Sequence, residues 1–270
     1  MSPRSVRYIH LICHACLEQA KVEGRIYTNP ADAAKLPAEK KKDMLFFDTE
    51  QVKLFLTEAK KTKHFAAYFL ALNTGLRRGE LLGLRWQDVD LKNGNISVKQ
   101  SLLRVDGKLV FQEPKTKLSK RSIGISKDVI EELKKHRKKQ SDEQGEADTS
   151  YSKEHNLVFC NEVGEPYCPR GFTRHFARLI DRHNNRVIAD AEEEGLKVAE
   201  YNLIPKINFH GLRHTFATLC LQQGTDPRTI QEALGHHKVA FTLDVYSGVT
   251  NKMKQEATDK IGSLLASCIQ

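Results

Sequence analysis

The sequence TGLRRGE occupies residues 74–80 and joins two stretches of different character. Residues 64–73 are largely apolar and predict a central helix, whereas residues 77–85 predict a second, short helix. Gly75 supplies the turn between them, because glycine adopts left-handed backbone conformations without steric cost. The segment therefore predicts two helices joined by a tight turn, with Arg77 at the start of the second.

Three further motifs follow in the last quarter of the chain: HGLRH at residues 210–214, LGH at residues 234–236 and LDVY at residues 243–246. His210 and Arg213 lie three positions apart at the start of a predicted helix over residues 210–223, so they share one helix face. The backbone N–H groups at a helix start favour an anion. This pattern predicts a site that binds phosphate.

A third predicted helix carries the next candidate residue. Asp226 is a typical N-cap, Pro227 suits the first helical position, and Gly235 suits the end of a helix over residues 227–234. His236 follows that turn directly. Tyr246 comes ten positions later, beside Ser247-Gly248, in a segment that we expect to move in and out of a site.

The composition limits the class of protein. The 270 residues, 40% of them hydrophobic, are enough for at least one full core. The 43 Lys and Arg residues outnumber the 34 Asp and Glu residues, and the net charge of +9 favours an anionic partner, with nucleic acid first.

No apolar run approaches the roughly 20 residues of a membrane span, and no secretory signal is recognised, so we expect a cytoplasmic protein. The six cysteines predict reduced thiols.

The start of the chain predicts a separate region. Residues 3–23 show an apolar stripe at helical spacing that we expect to be buried, Gly24 ends the pattern, and Asn29-Pro30 begins another short turn. Residues 37–45 are basic and interrupted by proline, which indicates a linker.

Cys13 and Cys16, with His10 and His14 beside them, resemble half of a zinc site. No second ligand pair follows at matching spacing, so the interpretation favours packing of small side chains in a helix, and we predict no metal.

The middle of the chain predicts a small antiparallel sheet. Asp48 and Gln51 indicate a capping box at the start of a helix, and strands are predicted over residues 96–105 and 109–111, joined at Asp106-Gly107, with a third over residues 122–125. Further helices are predicted from Lys127 to the basic run at 134–139, then at 169–183 and 251–267. Residues 140–156 are interpreted as a mobile acidic loop, and residues 190–200 as a second acidic stretch with little pattern. The predicted fold class is mainly α with a small antiparallel β-sheet (α+β).

The ordered motifs resemble the tyrosine recombinase (phage integrase) family, most closely the integrases of temperate phages and conjugative transposons. The resemblance covers about residues 46–250. It implies a catalytic set of Arg77, Lys115, His210, Arg213, His236 and Tyr246, supported by Glu80. Lys115 is chosen because Pro114-Lys115-Thr116 is most like the family's Lys-Thr segment; Lys117 is the alternative, and Lys120 lies in the same loop.

The resemblance implies a site-specific DNA recombinase of a mobile element, which cleaves and rejoins double-stranded DNA through a 3′-phosphotyrosine without a metal or ATP. Planar guanidinium groups match the oxygens of a phosphate, so we expect Arg77 and Arg213 to hold them. His210 would accept the proton of Tyr246, and His236 would form a hydrogen bond with the scissile phosphate. Lys115 would protonate the leaving 5′ oxygen.

The resemblance also implies an organisation. Residues 1–36 would be the C-terminal remnant of a helical core-binding domain whose earlier helices are missing, 37–45 a basic linker, 46–250 the catalytic domain, and 251–270 a helix that docks on a neighbouring protomer. We expect a homo-tetramer on DNA, with a directionality factor as a further partner, on the bacterial nucleoid.

Two alternatives remain at this point. A type IB topoisomerase shares the chemistry but works as a monomer that relaxes supercoiled DNA. A truncated DNA-binding regulator would bind DNA without recombining it.

Overall fold

The computed structural model describes residues 1–38, 45–113, 121–147, 151–197 and 202–235. The chain divides into two compact units, Met1–Asp43 and Met44–Gln270.

The first unit contains helix α1 (Pro3–Val22) and a 3₁₀ helix (Pro30–Ala33). Ser2 caps α1, because its hydroxyl accepts a hydrogen bond from the Ser5 N–H at 3.1 Å. The predicted helix and turn are confirmed. The prediction of a buried apolar stripe is wrong for the described residues: α1 has no buried residue, because the short 3₁₀ helix is too small to cover it.

The two histidines of α1 contact this 3₁₀ helix. His14 Nε2 lies 2.7 Å from an Asp32 carboxylate oxygen, and His10 Nε2 lies 3.0 Å from the main-chain oxygen of Ala31. Cys13 and Cys16 are exposed. Within the described residues, no three His, Cys, Asp or Glu side chains are grouped as metal ligands.

The second unit combines helices with short strands. Its described helices are α2 (Thr49–Ala59), α3 (Phe65–Thr74), α4 (Arg78–Leu82), α5 (Lys127–Ala147), α6 (Pro169–Glu193), α7 (Gly211–Gln222) and α8 (Pro227–Leu234), with a 3₁₀ helix at Trp86–Asp88. Its described strands are β1 (Val89–Asp90), β2 (Asn95–Val98), β3 (Ser101–Val105), β4 (Lys108–Gln112) and β5 (Arg121–Gly124).

The predicted capping box at the start of α2 is confirmed. The Gln51 N–H donates to the Asp48 carboxylate at 2.8 Å, and the Asp48 N–H donates to the Gln51 side-chain oxygen at 3.0 Å. These two bonds fix the start of α2 and satisfy backbone donors that no helix bond would satisfy.

An aromatic cluster forms the centre of the core. The ring of Phe55 lies 5.4 Å from Phe47, 5.5 Å from Tyr68 and 5.4 Å from Phe176, measured between centroids. These rings join α2, α3 and α6. The Phe47 N–H donates to the hydroxyl of Thr215 on α7 at 2.9 Å, so α7 is held against the same core.

The strands form two sheets, which corrects the prediction of a single one. β1, β2 and β5 form an antiparallel sheet in the order β1-β2-β5, while β3 and β4 form a separate hairpin. The predicted strand over residues 96–105 is split between them, and Gln100 at the break donates from its side chain to the main-chain oxygen of Gly83 at 2.8 Å. The predicted turn is confirmed, with φ of 47° at Asp106 and 82° at Gly107.

Two helices continue through segments that were predicted to be loops or weakly patterned. Helix α5 extends to Ala147 because Gln140 is buried and accepts a hydrogen bond from Trp86 Nε1 at 2.6 Å, and Lys139 pairs with Glu143 one turn later. Helix α6 extends ten residues beyond the predicted end at residue 183, to Glu193. The acidic composition of these segments reflects exposed helix faces.

Among the described residues, the helices are too polar or too short for any of them to cross a lipid bilayer.

Candidate active site

Arg77 lies where the chain turns from α3 into α4. The turn residue Gly75 has φ of 62°, and a Cβ there would lie 2.5 Å from a Leu234 side-chain carbon and 2.6 Å from one of Phe216. A side chain at this position would therefore suffer both backbone strain and collision. This close approach brings Arg77 beside the end of α8.

Glu80 orients Arg77 from within the first turn of α4. Its carboxylate accepts from Arg77 Nη1 at 2.8 Å and from the Arg77 N–H at 2.9 Å. The side chain of Glu80 is buried, whereas that of Arg77 is 39% exposed. The guanidinium is thus held by a buried anion while part of it faces solvent, as a phosphate-binding arginine requires.

His210 and Arg213 enter from the start of α7. Arg213 is 2% exposed. Its Nη1 donates to the main-chain oxygen of Gly75 at 2.8 Å, and its Nη2 donates to that of Leu234 at 2.6 Å. Arg213 therefore connects the turn after α3 to the end of α8. His210 is exposed, and its ring lies 4.8 Å from that of His214.

The last turn of α8 accepts hydrogen bonds from three arginines that are distant in sequence. The main-chain oxygen of Ala233 accepts from Arg121 Nε at 2.7 Å, and that of Gly235 accepts from Arg77 Nη2 at 3.2 Å. The oxygen of Leu234, between them, accepts from Arg213. A helix C-terminus carries partial negative charge, so these contacts are favourable.

Arg121 is the member of this group that the sequence analysis missed. Both of its Nη atoms donate to the Glu80 carboxylate, at 3.1 and 2.9 Å, and its side chain is 6% exposed. A signal was available: alternation along β5 places Arg121 on the same face as buried Ile123, and a cation on a buried face requires a partner.

The charges around the site shift two pKa values. Burial raises the pKa of Glu80, but the hydrogen bonds and charge of Arg121 and the charge of Arg77 outweigh it and lower that pKa to about 2. Desolvation by surrounding protein and the positive charges of Arg213 and Arg77 lower the pKa of His210. The lowered pKa favours the neutral form of His210, which is able to accept a proton.

Arg77 and His210 line one groove of about 400 Å³, together with Arg78, Ser101 and Thr173. A second groove of about 720 Å³ shares Arg78 and Thr173 with it. Its further lining includes Arg104, Arg170 and Arg174. The two grooves form a continuous arginine-lined surface suited to several phosphates in a row.

The structure brings together four of the residues predicted for the site, Arg77, Glu80, His210 and Arg213. Lys115, with its alternatives Lys117 and Lys120, and also His236 and Tyr246 lie outside the described residues. Their roles and those of the four convergent residues stay predictions.

Known proteins resemble the chain in sequence. The model of the phage integrase family matches residues 46–253. A tyrosine recombinase XerC-like protein of Caldanaerobacter subterraneus is 28% identical over 97% of this chain and 67% of its own length. The ICEBs1 integrase of Bacillus subtilis is 30% identical over 98% of this chain and 67% of its own length. The transposase from transposon Tn916 of Enterococcus faecalis is 28% identical over 77% of this chain and 48% of its own length.

Solved structures share the fold. The Tn1549 transposon integrase, determined in complex with transposon right end DNA, has a TM-score of 0.74 at 24% identity and covers 95% of this chain and 80% of that one. A lambda integrase dimer bound to a core site has a TM-score of 0.58 at 21% identity, over 90% of this chain and 59% of that one.

Proposed function

The chain belongs to the phage integrase family, and we propose that Tyr246 is the nucleophile with which it cleaves and rejoins DNA at the ends of a mobile element. Membership was predicted from the motifs and is confirmed by the family match over residues 46–253. The mainly helical α+β class and the enzyme class, a tyrosine recombinase, are confirmed with it.

The observation that carries the proposal for the site is the convergence of Arg77, His210 and Arg213. The hydrogen bond from Arg213 to Gly75 joins residues that are 138 positions apart in the sequence, and the hydrogen bond from Arg77 to Gly235 joins residues that are 158 positions apart. Two guanidinium groups and an imidazole with a lowered pKa thus meet where α7 begins and α8 ends. Within this set, the exposed part of Arg77 can hold an anion and His210 can accept a proton, which are the two requirements of attack on a phosphodiester.

In the proposed reaction, Arg77 binds the non-bridging oxygens of the scissile phosphate, and His236 donates a hydrogen bond to it. The hydroxyl oxygen of Tyr246 attacks phosphorus and transfers its proton to His210. The bond from phosphorus to the 5′ oxygen breaks, and that oxygen takes a proton from Lys115, or from Lys117 as the alternative. Attack of a 5′ hydroxyl on the 3′-phosphotyrosine reverses these steps and rejoins the strand.

The side chain of Arg213 is buried in this structure, and its guanidinium donates hydrogen bonds to two main-chain oxygens. A phosphate would reach its guanidinium only after the chain around the end of α8 has moved. We therefore assign to Arg213 two roles: it holds the end of α8 in place, and it contacts the phosphate once DNA has bound.

Helix α6 offers a surface for the DNA backbone. Arg170, Arg174, Arg178 and Arg182 recur every fourth residue, about 6 Å apart along the helix axis, and all four are exposed. None of them forms an ion pair with another residue in the described part of the chain. Since Arg170 and Arg174 also line the larger groove, double-stranded DNA would extend from the site along this helix.

The proposal for the assembly rests on the sequence and on the relatives. Residues 1–36 would belong to a core-binding domain, residues 37–45 would link it to a catalytic domain over 46–250, and residues 251–270 would dock on a neighbouring protomer of a homo-tetramer. A directionality factor would act on that assembly. Deletion of residues 251–270 should abolish assembly on DNA while leaving DNA binding by the monomer; unchanged oligomers would overturn docking in trans.

The nucleophile is tested with nicked DNA duplexes, because cleavage beside a nick releases a short fragment and traps the covalent adduct. Wild-type protein should yield an adduct that survives detergent. Tyr246→Phe should bind the same duplex with unchanged affinity and yield none. An adduct formed by Tyr246→Phe would place the nucleophile elsewhere, and relaxation of any supercoiled plasmid by the monomer would identify a topoisomerase.

A further inference from the structure

Arg121 joins two parts of the candidate site that are distant in sequence, Glu80 and the end of α8. It is the first residue of β5, so it directly follows residues 114–120, which contain the candidate general-acid lysines. Its Nε donates to the main-chain oxygen of Ala233, three residues before His236. Its two Nη atoms bind the carboxylate that orients Arg77.

We propose that Arg121 is a positioning residue for DNA cleavage, which fixes the geometry of Arg77 and of the end of α8 relative to one another. The proposal rests on the proposed function and goes beyond it, since the hydrogen bonds of Arg121 within the described residues reach Glu80 and Ala233, neither of which takes part in the proposed reaction. It acts through Glu80 and through the peptide oxygen of Ala233.

The hydrogen bonds at Glu80 show how this positioning works. Each carboxylate oxygen accepts two hydrogen bonds: one oxygen accepts from Nη1 of Arg77 and Nη1 of Arg121, and the other from the Arg77 N–H and Nη2 of Arg121. Glu80 is consequently held from both sides and cannot rotate to follow Arg77. Loss of the contact with Arg121 would release one side of the carboxylate and allow the guanidinium of Arg77 to shift.

The shape of the guanidinium matters as well as its charge. The planar guanidinium of Arg121 makes three hydrogen bonds, two to Glu80 and one to Ala233. The space around it is nearly closed, since a Cβ on Gly235 would lie 3.2 Å from Arg121 Nη1. A lysine ammonium has the same charge but cannot make this set of contacts. Arg121→Lys therefore separates geometry from charge, and Arg121→Gln removes both.

The experiment measures covalent adduct formation with nicked duplexes. Because the target sequence is unidentified, the probe is a duplex that the wild-type chain itself captures from a pool of nicked duplexes with randomised sequence. Four quantities are recorded for each variant: the rate constant at saturating duplex, the final adduct yield, the duplex concentration at half-maximal rate, and the thermal unfolding midpoint.

Arg121→Lys should lower the rate constant by roughly 10- to 100-fold, the range expected for a displacement of catalytic groups by about 1 Å or less, and Arg121→Gln should lower it at least as far. The final yield and the half-maximal concentration should stay within about twofold of wild type, because folded protein still binds DNA and still reacts. A residue that only stabilises the fold would instead reduce the yield and leave the rate constant of the folded fraction unchanged. That result would overturn the proposal.

Arg85→Lys provides the matched control. Arg85 Nε donates to the buried carboxylate of Asp88 at 2.6 Å, away from the candidate site. This variant should lower the unfolding midpoint without changing the rate constant. The proposed function and the positioning role of Arg121 are overturned by different results. If the wild-type chain forms no adduct with any duplex in the pool, both are wrong. If Arg121→Lys reacts with the wild-type rate constant, only the positioning role is wrong.

Discussion

Arg213 on α7 donates a hydrogen bond to the main-chain oxygen of Gly75, 138 residues earlier, at 2.8 Å. The same guanidinium donates to Leu234 at the end of α8. One buried cation thus joins the turn that presents Arg77 to the helix that precedes His236. The geometry of the site depends on this turn, which makes the turn the first place to test.

Gly75→Ala should lower the free energy of unfolding by roughly 2–5 kcal/mol, from backbone strain at positive φ and from overpacking. The new Cβ would meet Leu234 and Phe216 at about 2.5 Å. Urea denaturation measures the change. In the control Gly124→Ala, a Cβ meets no atom within 4 Å, and stability should change by at most about 1 kcal/mol. Equal effects in the two variants would show that the turn is not strained.

Glu80 should give stability a characteristic dependence on pH. Its pKa in the folded protein is lowered to about 2 from an ordinary 4.5, so it stabilises the fold above pH 4.5, and this contribution is lost as pH falls towards 2. The lost contribution is about 3 kcal/mol. Glu80→Gln should be less stable than wild type at pH 7 and should lose less stability between pH 5 and 2, measured by urea denaturation at each pH.

The control for this prediction is Glu131→Gln, since Glu131 pairs with Lys134 on an exposed helix face. An exposed ion pair contributes little, so this variant should follow the wild-type pH curve. A Glu80→Gln curve parallel to wild type between pH 5 and 2 would contradict the pairing of Glu80 with Arg77 and Arg121.

Much of this fold was predictable because the relevant signals are local. The capping box at Asp48, the turn at Asp106-Gly107 and helix α8 at Pro227–Leu234 all depend on residues within one turn of each other. The two sheets were mistaken for one because the break near Gln100 depends on a contact with Gly83, 17 positions away.

The site was predictable in part for a related reason. The motifs indicated Arg77, Glu80, His210 and Arg213 before any contact between them was known, because each lies at a helix start or beside a turn. Arg121 was missed because alternation along a four-residue strand indicates only the face on which the arginine lies, and its partners lie 41 and 112 positions away. The burial of Arg213 likewise follows only from packing.

The candidate general acid can be identified with a modified leaving group. Lys115→Ala should slow cleavage of ordinary nicked DNA by about 10²–10⁴-fold, because the departing 5′ oxygen needs a proton. Replacement of that oxygen by sulfur should restore the rate, since a thiolate leaves without protonation. Lys117→Ala is the matched variant and should cleave normally. The reverse pattern would assign the role to Lys117.

The arginines of α6 should contribute to DNA affinity through phosphate contacts. Arg174→Gln and Arg178→Gln should each weaken binding to all duplexes alike and reduce the slope of log affinity against log salt by about one. Titrations at several salt concentrations measure this slope. Lys53→Gln, an exposed cation on α2 paired with Glu50, serves as the control and should leave the slope unchanged. Loss of affinity for one sequence only would indicate base recognition instead.

The central claim is that a DNA phosphate held near Arg77 and His210 becomes bonded to Tyr246. Protease digestion and mass spectrometry of the trapped adduct test this claim most directly. The expected product is one modified peptide, with Tyr246 joined to a 3′-phosphorylated nucleotide and a free 5′ hydroxyl on the released strand. A nucleotide attached to any other residue, or a linkage to a 5′ phosphate, would contradict it.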